Sequence, residues 1–213
     1  MGLSFSICIL VASVACHAQE HYSFVFLHKR SDAEPLPKEQ LDKIMEGHMA
    51  NIGRLAKEDK LKVAGPFDGG GGIFILNTTS VDEATQWLSS DPGIQAKRWN
   101  IEILPYTPQI GSVCVAKEPY EMISYNFIRF LFTPKNTVKN TVALLDQHTK
   151  HVAEFALEGN VIITGSFEKN GSILIYKGDF ENEFTEGDPA VKAGILSVDI
   201  KKLWIAKGSF CEK

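Results

Sequence analysis

The chain has 213 residues, 44% of them hydrophobic and 23% charged, with a formal net charge of −4. That length suits one large domain or two small ones, and the apolar fraction is enough for a buried core. No block of Lys or Arg occurs, so the electrostatic footprint of a nucleic-acid binder is absent.

Leu3 to Ala15 form a short apolar run followed by Cys16-His17-Ala18, with small residues at the positions that matter for cleavage after Ala18. The run is too short to span a bilayer and reads as a secretory signal peptide over residues 1–18, although no Lys or Arg precedes it. The expected location is secreted or periplasmic, with no transmembrane segment after signal removal. A lipoprotein attached through Cys16, behind the poor lipobox Ser13-Val14-Ala15, is one alternative, and a buried strand is another.

The aromatic and β-branched stretch Tyr22 to Leu27 predicts a strand that His28 ends at an exposed position, and Ser31 to Pro37 a loop. From Lys38, apolar residues at Leu41, Ile44, Met45, Ile52 and Leu55 fall at helical spacing, with His48 on the same stripe. A strand over Lys60 to Phe67 and another over Gly72 to Leu76 flank a glycine-rich turn. Ser80-Val81-Asp82-Glu83 is a capping box that opens a short helix. Asp91-Pro92 starts a further helical turn, and Trp99 to Leu104 is the last strand of the unit.

The same order returns. Strands are expected at Met122 to Phe132, Val161 to Phe167, Ser172 to Tyr176 and Leu196 to Ile205, with helices at Val138 to Leu157 and around Phe180 to Phe184. His48 and His148, and Phe67 and Phe167, stand 100 residues apart; Asp91 and Asp188, and Cys114 and Cys211, stand 97 apart. A domain-sized repeat of this kind predicts a duplicated small domain. The expected fold is α+β: two tandem ferredoxin-like βαββαβ units packed as an intramolecular pseudo-dimeric α/β barrel. Residues 19–110 form the first unit, 111–119 the linker (the connecting stretch begins near Thr107), and 120–213 the second.

His48, the turn residues Asp59-Lys60-Leu61, Ala64-Gly65-Pro66 and Asp91-Pro92 together resemble the YCII-related family, in two tandem copies. The resemblance implies the dimeric α/β-barrel architecture and, in some members, a His/Asp pair working in a pocket. The second copy departs from the pattern with Ser166 in place of proline and a shortened second helix. The first copy is therefore the expected better site.

The candidate catalytic residues are His48 with Asp91 and His148 with Asp188. An inward imidazole is the usual general acid or base, or else a core histidine bonded to a carbonyl. Each aspartate is an N-cap before proline, and its second oxygen can also orient an imidazole. Gly65 and Pro66 either close a hairpin or leave room at a pocket mouth. Arg129, on the face of Tyr125 and Phe127 by alternation, either reaches the sheet edge or anchors an anionic ligand. His151 lies beside His148, where the first copy has Asn51. No CxxC, HExxH or GxSxG occurs, so no metal and no cofactor is expected. With export, Cys114 and Cys211 are the remaining cysteines and form a candidate disulfide, if the pseudo-twofold brings them together rather than placing them at opposite ends.

Two functions fit. One is an enzyme that eliminates, isomerises or hydrolyses a small organic molecule by His/Asp acid–base chemistry. The other is a non-catalytic small-ligand binder with structural His/Asp pairs. A monomer or weak homo-oligomer is expected.

Overall fold

Alternation along the strands divides the chain's apolar residues between a shared core and two helix-covered faces. A computed structural model describes residues 20–134 and 140–211. The candidate signal peptide, Cys16 and the expected helix start at Val138 lie outside the described residues.

The first half runs β1 (Tyr22–Lys29), α1 (Lys38–Lys57), β2 (Leu61–Pro66), β3 (Gly72–Leu76), α2 (Val81–Leu88), α3 (Pro92–Gln95) and β4 (Trp99–Ile110). The second runs β5 (Met122–Phe132), α4 (Thr141–Ala156), β6 (Val161–Ser166), β7 (Ser172–Tyr176), α5 (Glu183–Gly187), α6 (Pro189–Lys192) and β8 (Leu196–Ala206). The fold is α+β, with one eight-stranded antiparallel sheet in the order β2-β3-β1-β4-β6-β7-β5-β8. The first four strands and the last four follow the same internal order.

The capping box forms in part. Ser80 accepts the Glu83 amide at 3.2 Å, but the Glu83 carboxylate takes the Thr78 hydroxyl instead of the Ser80 amide. The helical piece expected around Phe180 begins later, at Glu183, because Phe180 is drawn against Phe155 and Tyr176.

Two departures from the sequence reading join the halves. β4 continues past Leu104 to Ile110, since Thr107, Pro108 and Ile110 pair with Ser166, Gly165 and Thr164 of β6. At the other edge, a bridge links Phe67 and Leu203, and the Asp68 amide donates to the Lys202 carbonyl at 3.0 Å. Glycines recur at both seams. A Cβ on Gly65 would lie 2.8 Å from the Trp204 carbonyl oxygen, and one on Gly165 would lie 2.2 Å from the Tyr106 ring. Backbone and ring come that close only where no side chain intervenes.

One face of the strands from both halves builds a common core that includes Phe24, Phe26, Ile73, Ile75, Tyr106, Phe127, Ile163, Phe167, Ile175 and Leu203. The opposite faces pack separately. Val25, Leu27, Phe74 and Leu76 lie with Leu55 and Leu88 of α1 and α2; Ile128, Phe130 and Leu174 lie with Phe184 and Ala190. Among the described residues, no helix is long and apolar enough to cross a membrane.

Cys114 and Cys211 are bonded, with Cα atoms 5.1 Å apart at a sequence separation of 97. The Cys114 amide donates to the Ser209 carbonyl at 2.9 Å, and Val113 and Phe210 are buried beside them. The bridge ties the chain's end to the segment between the halves. A closed loop of that size is worth about 4–5 kcal/mol in the chain-entropy treatment. We expect the Cys114→Ser/Cys211→Ser variant to melt about 10–15 °C lower in a thermal scan, with little change in its native circular dichroism.

Candidate active site

In each half a buried aspartate caps a one-turn helix and holds a histidine from the long helix. Proline at the first helical position leaves the next two backbone amides pointing at the cap. Asp91 Oδ1 accepts the amides of Gly93 at 2.9 Å and Ile94 at 3.1 Å; Asp188 Oδ1 accepts those of Ala190 at 2.8 Å and Val191 at 3.1 Å. The second oxygen takes the imidazole: Nδ1 of His48 donates to Asp91 Oδ2 at 2.8 Å, and Nδ1 of His148 to Asp188 Oδ2 at 2.6 Å. Both carboxylates are fully buried. The Nδ1–H bond leaves Nε2 of the neutral ring as the free basic nitrogen.

Burial alone would raise both carboxyls. The bonds from His48, Ile94 and Asn51 overcome it at Asp91, and those from His148, Val191 and Ala190 do so at Asp188, so each sits below the usual aspartate range.

The halves differ around this shared frame. Beside His48, the Asn51 amide donates to Asp91 Oδ2 at 3.0 Å, and the Trp99 ring lies 4.7 Å from the imidazole. Trp99 rests on Gly93, where a Cβ would come within 2.4 Å of the indole. The matching residues of the second half are Leu196 and Ala190, so the space an indole fills in one half is not filled by one in the other. A cavity of about 370 Å³ opens there, lined by His148, Phe130, Leu145, Val152, Leu196 and Ile110, among others. Ile110 belongs to β4, so both halves build its wall. His148, still only 9% exposed, meets Phe130 edge-on at 4.8 Å. In the half expected to hold the better site the tryptophan packs on the histidine, and the cavity lies beside His148 of the second half.

The other candidates are placed elsewhere. His151 Nε2 donates to the Phe184 carbonyl at 2.7 Å and its ring stacks on Phe184, so it bonds the backbone and not Asp188. Gly65 is required by the approach of β8, not by a pocket mouth, and Pro66 is an exposed end of β2. Arg129 does face the common core, but it is already paired. Its guanidinium donates to both oxygens of Glu102 at 2.8 and 2.9 Å and lies 3.9 Å over the Phe26 ring. His28, expected to be exposed, bonds the same carboxylate at 2.7 Å and stacks on Phe26. The Arg129 bonds outweigh burial and lower the Glu102 carboxyl. Arg129 therefore joins the halves, with both terminal nitrogens held by Glu102 and Nε buried without a partner.

Sequence reasoning missed Glu102, Asn51 and the Trp99/Leu196 contrast. Asn51 was within reach, three residues after His48 on one helix face. Among the described residues, no group of three or more metal-type ligands is gathered.

Because Asp91, Asp188 and Glu102 are all depressed, their stabilisation is complete above the unfolded carboxylate value of about 4. It is lost as pH falls from there through the lower folded values. We expect melting temperature to drop steeply below about pH 4. Asp188→Asn, which keeps the cap, should make that drop shallower by up to one proton per molecule in the linkage slope.

A YCII-related domain covers residues 22–107, from the start of β1 into β4. Among solved structures, the chain is similar to the crystal structure of a protein named "Putative monooxygenase" from Fusobacterium nucleatum subsp. nucleatum ATCC 25586. The TM-score is 0.50 and the identity 11%, over 90% of this chain and 94% of that one, a likeness of fold. No curated protein matches the sequence.

Proposed function

We propose that this chain is a duplicated YCII-like protein whose second half carries a small-molecule active site, with His148 as general acid or base and Asp188 as its positioning residue. One observation carries this reading: an imidazole held through Nδ1 by a buried carboxylate lines a cavity large enough for a small ligand. Such a ring can take a proton from a bound molecule at Nε2 and return it at another atom, which elimination, isomerisation and hydrolysis all require. His48 and Asp91, under Trp99, serve as the structural counterpart.

The duplication is supported by the repeated strand order and the matching His/Asp frames. Closure into a pseudo-dimeric barrel is supported by the β4–β6 seam, the Phe67–Leu203 bridge and the common core between them. Export is supported by the Cys114–Cys211 bond, which suits an oxidising compartment. On expression in a secretion-competent bacterium, the chain should begin near Gln19. N-terminal sequencing checks this, and an intact Met1 in the cytoplasm overturns it.

Screening the protein against a metabolite library for turnover should yield a substrate on which His148→Gln loses on the order of 10²–10⁴-fold in rate. Its melting temperature should change little, while His48→Gln should chiefly lower stability. Undiminished turnover by His148→Gln would refute the catalytic reading and leave a ligand-binding protein.

A further inference from the structure

The cavity beside His148 also carries information about what enters it. Ile163 of β6 and Phe167 just after it point into the common core, so Thr164 and Ser166, alternating with them, face α4 and line the cavity. Ser172 of β7 pairs with Ser166 and lines it as well. One wall thus presents three hydroxyls opposite a helix that supplies His148. At the positions 100 residues earlier stand Ala64, Pro66 and Gly72, which carry no side-chain hydroxyl.

These hydroxyls have no side-chain hydrogen-bond partner among the described residues. Thr164 is nonetheless 3% exposed, and its oxygen is not among the buried orphan atoms of the described residues, so what access it has is to the cavity. A half-buried donor facing an apolar cavity gains most from a ligand that completes it. The same walls disfavour an anion. No Lys or Arg lines the cavity, Glu168 stands on its lining, and Arg129 is spent on Glu102. Moving a carboxylate or phosphate into such a place without a cation is costly.

We infer that the site takes a neutral, mostly apolar molecule of about single-ring size, with one hydroxyl or carbonyl oxygen bound by Thr164, Ser166 and Ser172. The inference rests on the His148 cavity being the site, and it replaces the anionic ligand that the sequence suggested for Arg129.

The test uses three probes of similar shape, acetophenone, benzoate and toluene, titrated into the disulfide-intact protein and followed by amide and imidazole NMR shifts. Acetophenone should shift the signals of His148 and Thr164 and bind at least 10-fold more tightly than benzoate. Thr164→Val and Ser166→Ala should each weaken acetophenone roughly 3- to 10-fold, the worth of one hydrogen bond, and leave toluene unchanged. Native NMR dispersion of each variant checks that it folds. Benzoate binding as well as acetophenone, or acetophenone unaffected by both variants, overturns the inference while leaving a catalytic His148 possible. Failure of all three probes to shift the His148 signals also overturns it. Full turnover by His148→Gln with the expected binding pattern instead removes the catalytic reading and keeps this one.

Discussion

A buried aspartate with two jobs organises each half of this protein. One oxygen of Asp91 or Asp188 completes the amide donors of a one-turn helix, and the other holds a histidine from the long helix. A carboxylate taken out of water must have its lone pairs filled, and here backbone and imidazole fill them from opposite sides. The requirement fixes three things at once: where the short helix begins before the last strand, how the long helix lies over the sheet, and which imidazole nitrogen stays free. Removing the side chain would leave donors unpaired in two elements, so the pairing couples local capping to tertiary placement.

On that common frame, the halves diverge through volume. Trp99 reaches the His48 ring only because Gly93 has no side chain beneath it, and the two positions depend on each other sterically. Leu196 and Ala190 occupy the same places in the second half, where the smaller apolar group leaves a cavity and the Cβ costs nothing. An apolar residue for an apolar residue thus separates a packed histidine from one that borders open space. The hydroxyls of Thr164 and Ser166, where the first half has Ala64 and Pro66, fall on the side with the cavity.

The halves are joined by two strand seams and by one charge cluster. Gly65 and Gly165 are equivalent in sequence, and each sits where the other half's strand presses closest. Between the seams, Glu102 of β4 holds Arg129 of β5 and His28 of β1, with the guanidinium laid on Phe26. A bidentate pair with its guanidinium buried adds directional specificity to a core otherwise made of aromatic and aliphatic contacts. The disulfide fastens the chain's end to the connecting segment outside that core.

Much of this was legible in the chain. Alternation and helical spacing located the main strands and long helices, because each element's burial pattern is a local property of its period. Asp followed by Pro marked both caps, and His48 and His148 lay on apolar stripes for the same reason. What pattern could not supply was distance between elements remote in sequence. Whether β4 stopped at Leu104 or ran on to pair with β6 depended on a partner strand about 60 residues later. The carboxylate awaiting Arg129 was set by the register of β1 between β4 and β3, which brings Glu102 opposite Phe26. The choice between the two histidines turned on how an indole and a leucine pack against a neighbouring glycine or alanine. The sequence by itself determined which residues could cap, face inward and pair. Tertiary structure decided which half was filled and which left open, because packing volume is a property of neighbours that only folding brings together.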